Sequence, residues 1–91
     1  MSRAIEHNTA ERRFEYVEDG QLCVLEYELL DGIMAITHTG VPAAVEGRGI
    51  AAGLTRYALD TARGRGWKVR PLCSYAAAYF KRHPEYQDLL A

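Results

Sequence analysis

The chain has 91 residues, 48% of them apolar and 25% charged, with a formal net charge of −1, which fits one small globular domain (residues 1–91) and excludes disorder. The near-neutral balance argues against non-specific nucleic-acid binding, which needs a strong basic excess. No run approaches the roughly eighteen apolar residues of a membrane span, and Met1 to Arg13 lacks the apolar middle of a signal peptide, so no membrane association and a cytoplasmic location are expected.

The elements follow in chain order. Arg12–Val17 alternates, with Phe14 and Tyr16 on one face and Arg13 and Glu15 on the other, and predicts a strand. Asp19-Gly20 is a hairpin turn, because glycine accepts the positive φ such turns require. Gln21–Leu30 is a second strand with Cys23, Leu25, Tyr27 and Leu29 inward. Asp31-Gly32 turns the chain into a third strand, Ile33–Thr39. Its unbroken start, Ile33 to Ile36, predicts cover on both faces, whereas its end, Thr37-His38-Thr39, is unexpectedly polar.

From Ile50 the apolar period becomes helical, with Ile50, Leu54 and Ala58 four apart, and Gly64 and Gly66 suit a left-handed helix end. Trp67–Leu72 is a fourth strand broken by Pro71. Ser74 is expected to cap a second helix carrying Tyr75, Ala76, Tyr79 and Phe80, which Pro84 ends. The order is an α+β meander followed by helix-strand-helix, with one helix expected on each face of the sheet. Two cysteines without paired spacing give no structural zinc site. His7 is expected on the surface.

The most informative stretch is Val45-Glu46-Gly47-Arg48-Gly49-Ile50-Ala51-Ala52, a glycine turn between strand and helix. The first N–H groups of a helix lack internal partners and carry partial positive charge, so the turn suits a pyrophosphate. The preceding hairpins disfavour a dinucleotide fold, and a P-loop is ruled out by the missing Gly-Lys-Ser/Thr ending.

Gly47-Arg48-Gly49-Ile50-Ala51 after a strand resembles the acetyl-CoA signature of GNAT N-acetyltransferases, Arg/Gln-x-x-Gly-x-Gly/Ala, with Glu46 standing where Arg or Gln is usual. Together with Ile36-Thr37-His38-Thr39, Pro71-Leu72-Cys73-Ser74-Tyr75 and His83-Pro84-Glu85-Tyr86, it resembles the small stand-alone GNAT-like family. The resemblance implies a trimmed GNAT-like fold without the usual N-terminal helices. It also implies acetyl-CoA (coenzyme A) as cofactor, held by Thr39, Gly40, Val41, Glu46, Gly47, Arg48, Gly49, Ile50, Ala51, Cys73 and Tyr79.

Four catalytic candidates follow. Helix N-termini favour thiolates, and the resemblance places Cys73 near the thioester, where it could carry an acyl group, position the acceptor or line the pocket. His38 could serve as general base or be a satisfied strand histidine. The resemblance implies that a tyrosine on the last helix, Tyr75 or Tyr79, protonates the departing thiolate, and core packing is the other role open to each. Arg48 suits a phosphate. Arg63, Arg65, Lys68 and Arg70 could meet the ribose 3′-phosphate or form a solvated basic face. The expected activity is acetyl transfer to an amine, whether a protein lysine, a polyamine or a small metabolite. The alternative is a coenzyme A-binding or protein-interaction module with little turnover, and either form could be a monomer or a homodimer.

Overall fold

The computed structural model describes residues 3–91. Its elements are β1 (Glu6–Asn8), β2 (Arg13–Glu18), β3 (Gln21–Leu30), β4 (Ile33–Gly40), a 3-10 turn (Ala43–Val45), α1 (Ile50–Gly64), β5 (Lys68–Pro71), α2 (Ser74–Arg82) and a closing 3-10 segment (Pro84–Leu89). The strands form one sheet in the order β1-β2-β3-β4-β5, antiparallel except for the parallel β4–β5 pair.

Both Asp-Gly pairs work as the sequence predicts. Asp19, Gly20, Asp31 and Gly32 have φ of 51°, 73°, 54° and 74°, the backbone of two-residue turns whose twist matches paired strands. At the end of α1 the N–H of Gly66 bonds the Arg63 carbonyl and that of Trp67 bonds the Ala62 carbonyl. Gly66 at φ 72° supplies the left-handed residue this ending needs.

Phe14, Leu25, Tyr27, Met34, Ile36 and Val69 point from one face of the sheet into a core completed by Leu54, Ala58 and Leu59 of α1 and Ala76 and Phe80 of α2. Both helices therefore pack on the same face, which corrects the expectation of one on each. The apolar run of β4 misled: Met34 and Ile36 are buried, whereas Ile33 and Ala35 are half-exposed on the open face. There they stand in register with Lys68 and Arg70, whose aliphatic stems shield such neighbours without a helix. Leu29, expected inward, is exposed near the hairpin end. No helix among the described residues is long and apolar enough to cross a membrane.

The N-terminal segment adds a strand that its polar composition hides. β1 pairs with β2, placing His7 opposite Phe14. His7 is not a free surface group: its ring stacks on Phe14 at 4.2 Å, and its Nε2 lies 2.6 Å from the Tyr27 hydroxyl. Burial, and then the Arg65 charge, push the imidazole below its ordinary range. The folded state thus favours neutral His7, and the unfolded chain binds its proton first as pH falls. Stability from this contact is complete above about pH 6.5, the value of a free imidazole, and drains away as pH drops towards the lower folded value. A thermal melt series from pH 7.5 to 5 should show that loss, and His7→Phe should flatten it.

Candidate active site

β4 and β5 pair only from Ile33–Ile36 against Lys68–Pro71. Leu72 and Cys73 then both donate their N–H to the Ile36 carbonyl at 3.0 Å, and past that point the strands part. Proline at position 71 has no N–H with which to continue the ladder. β4 runs on to Gly40 against β3 alone, and Thr37 is an extra residue between the Tyr27–Ile36 and Glu26–His38 pairs.

One extra residue reverses which side chains face inward. Thr39 turns to the core side, where its Oγ1 lies 3.6 Å from Cys73 Sγ. His38 turns to the open face opposite Glu26 and is exposed. Gly40 leaves room for it, since a Cβ there would come within 2.9 Å of His38 Nε2. The strand thus separates His38 from the Thr39–Cys73 pair.

Cys73, not Ser74, caps α2. Its backbone is extended, as a capping residue's must be, and its Sγ accepts the Ala76 N–H at 3.4 Å. Ser74 already belongs to the helix. The capping role falls one residue earlier because the two hydrogen bonds from Leu72 and Cys73 to the Ile36 carbonyl leave Cys73 as the last extended residue. Cys23 and Cys73 are both free thiols.

Beside the end of β4 lies a cavity of about 370 Å³. Thr39 and Val41 line it from the end of β4 and the residue beyond, Val45, Glu46, Gly47 and Gly49 from the turn, Ile50, Ala51 and Ala52 from α1, and Tyr75 from α2. Gly47 and Gly49 both have φ of 79°, a conformation that favours glycine and leaves no side chain over the first turn of α1. Gly49 caps α1 with no side-chain hydrogen bond, and the first turn carries no acidic residue. The amides at this helix end are therefore left for an outside acceptor. That arrangement fits a pyrophosphate.

Seven of the residues expected to hold the cofactor meet at this cavity, and four stand apart from its lining. Gly40 backs His38, and Cys73 sits behind Thr39. Tyr79 lines an adjoining groove. Arg48 is turned to the β2–β3 hairpin, where its guanidinium holds Glu18 at 3.1 Å and Asp19 at 2.8 Å. Burial raises the hydroxyl pKa of Tyr75 and of Tyr79, which keeps both as proton donors, but only Tyr75 faces the cavity. The basic stretch is not brought to the turn. Arg63 holds Asp88 at 2.6 Å, Arg65 lies over Trp67 at 5.2 Å and Lys68 donates to the Asp88 carbonyl at 2.7 Å, about 20 Å of helix away from Gly49.

Three residues not named as cofactor ligands also contribute, two of them within the glycine-turn stretch singled out in the sequence. Val45 and Ala52 line the cavity; Ala52 follows Gly49 by three residues, a spacing that puts both on one helix face. Arg3 donates to the carbonyls of Arg48 and Gly49 and lies over the Tyr16 ring at 5.7 Å, so it pins the turn from the N-terminal segment. No local pattern reveals that contact, which spans more than forty residues.

A family model described as GCN5-related N-acetyl-transferase matches residues 13–89, and the chain belongs to that family. It is 36% identical to Protein NATD1 of Mus musculus over 88 residues, covering 93% of this chain and 80% of the mouse protein. Protein NATD1 of Homo sapiens is likewise 36% identical, with 93% and 78% covered. The solution structure of a GCN5-like protein from Staphylococcus aureus superposes with a TM-score of 0.77 at 27% identity, covering 100% of this chain and 91% of that one.

Proposed function

We propose that the chain is an acetyl-CoA-dependent N-acetyltransferase that moves the acetyl group directly to an amine. One observation carries this reading: a single cavity joins the glycine-turned end of α1, which has no side-chain cap, to the end of β4 past its pairing with β5. The free amides of α1 hold the pyrophosphate, and the end of β4 takes the thioester arm. Past Ile36, β4 has no partner on its β5 side, so its main-chain N–H groups are available to polarise the thioester carbonyl.

An amine nitrogen attacks that carbonyl carbon, forming the N–C bond while the C–S bond breaks. His38, on the open face, takes the proton that the acceptor nitrogen loses. The Tyr75 hydroxyl, kept protonated by burial, supplies a proton to the departing sulfur. Cys73 caps α2 and orients Thr39.

Acetyl transfer from acetyl-CoA to a panel of lysine peptides, polyamines and small amines tests this. Cys73→Ser keeps a capping oxygen and should retain activity within a few-fold. Cys73→Ala loses the cap and about 0.5–1 kcal/mol of stability, and His38→Ala should lower kcat/KM about 100-fold. Loss of activity in Cys73→Ser with its melting temperature intact would instead indicate an acyl-cysteine route. Tight binding with no acceptor acetylated would favour a coenzyme A-binding module.

A further inference from the structure

α1 carries a glycine in its interior, Gly53, where the residue with the most backbone freedom weakens a helix. The structure gives it a use. A Cβ at position 53 would stand 3.3 Å from Arg3 Nη1, and one at Gly49 would stand 3.9 Å from Arg3 Nη2. Residues four apart share a helix face, so the two glycines leave a slot on α1 in which the Arg3 guanidinium lies. The backbone of Arg3 is held as well. Its carbonyl accepts the Ile5 N–H at 3.0 Å, and Ile5 packs against the core.

From the slot Arg3 donates to the Gly49 carbonyl at 3.4 Å and to the Arg48 carbonyl, and its guanidinium lies over the Tyr16 ring at 5.7 Å. In a planar trans peptide the C=O and N–H point in opposite directions. Holding the carbonyls of residues 48 and 49 therefore aims the amides of Gly49 and Ile50 away from Arg3, and both of these residues line the cavity. A cation on a carbonyl also polarises the N–H of the same peptide. The turn needs such a hold, because Gly47 and Gly49, both at φ 79°, have much backbone freedom to lose when a ligand orders them. Arg3 lies outside residues 13–89, which carry the family match.

We infer that Arg3 is a positioning residue for the pyrophosphate turn, fixing from behind the two amides that face the cavity. The inference rests on the reading of that turn as the diphosphate site. Arg3 stands outside the cavity lining and acts through the turn in two ways. It orders the backbone before the cofactor arrives, and it adds a positive charge behind the helix end.

Calorimetric titration of acetyl-CoA into the wild type, Arg3→Met, Arg3→Lys, Gly53→Ala and the double variant of Arg3→Met with Gly53→Ala tests this, well below the melting temperature of each chain. Arg3→Met should bind about tenfold more weakly, the scale of one charge-assisted hydrogen bond. Arg3→Lys keeps the charge and one donor to the carbonyls, and should stay within about threefold of the wild type. Gly53→Ala crowds the guanidinium while removing a helix-interior glycine, so it should raise the melting temperature and yet weaken binding by about threefold. In the Arg3→Met chain the same change should leave affinity where it was. Unchanged affinity in Arg3→Met overturns the positioning role and leaves the turn as the diphosphate site. So does a loss in Arg3→Met that is equally large in Arg3→Lys, or an equal effect of Gly53→Ala with and without Arg3. Failure of the wild type to bind acetyl-CoA overturns both readings.

Discussion

A Gly49→Asp chain should fold and bind acetyl-CoA about 30- to 100-fold more weakly than a Gly49→Asn chain. Gly49 sits at φ 79°, where Asn and Asp are the side chains best tolerated. An added Cβ would meet nothing closer than the Arg3 guanidinium at 3.9 Å, which is ordinary contact. The two variants have the same shape, and either side chain can reach the free amides of α1, so the comparison reads one negative charge, partly offset by the Arg3 guanidinium beside it.

A charge about 4 Å from a phosphate costs about 4 kcal/mol at an effective dielectric of 20, and water and salt reduce that to about 2–3 kcal/mol, the predicted ratio. The same charge favours the helix N-terminus, so the Asp variant should melt above the Asn variant without ligand. Binding and stability then move in opposite directions, which no general folding defect produces. Equal affinities in a titration would place the phosphates away from α1.

The second large effect is on stability. Leu54→Ala should cost about 2–5 kcal/mol, a large share of the roughly 5–10 kcal/mol a domain of this size holds. Leu54 is fully buried in the second turn of α1, a helix that packs against β2, β3, β4 and β5. At about 4–8 °C per kcal/mol, the melting temperature should fall by about 8–40 °C. Arg56→Ala, two residues on with its side chain 74% exposed, should stay within about 0.5 kcal/mol. Similar costs for the two would mean that α1 does not pack through the Leu54 face.

Local chemistry was legible in this chain. The two Asp-Gly hairpins, the period change at Ile50, the Gly66 ending and the glycine turn each depend on residues within a few positions of one another. So does the family signature around Gly49. Strand alternation likewise marked Phe14, Leu25 and Tyr27 as core. β1 was not legible, because three residues with a charged and polar composition become a strand only when β2 offers its edge, and His7 turns inward only against Phe14 and Tyr27.

What the residues determined alone is therefore the main elements from β2 onward, their order and the glycine turn before α1, all fixed by backbone preference and short-range periodicity. Tertiary structure decided which groups share the site. The Thr37 bulge exists only in the pairing of β3 with β4, and it sends Thr39 inward and His38 outward. The paired bonds from Leu72 and Cys73 to Ile36 make Cys73 the cap, and the Glu18–Asp19 pair draws Arg48 away from the cavity. Each of these is a contact between segments distant in the chain, whose register is set by burial and hydrogen bonding across the whole sheet.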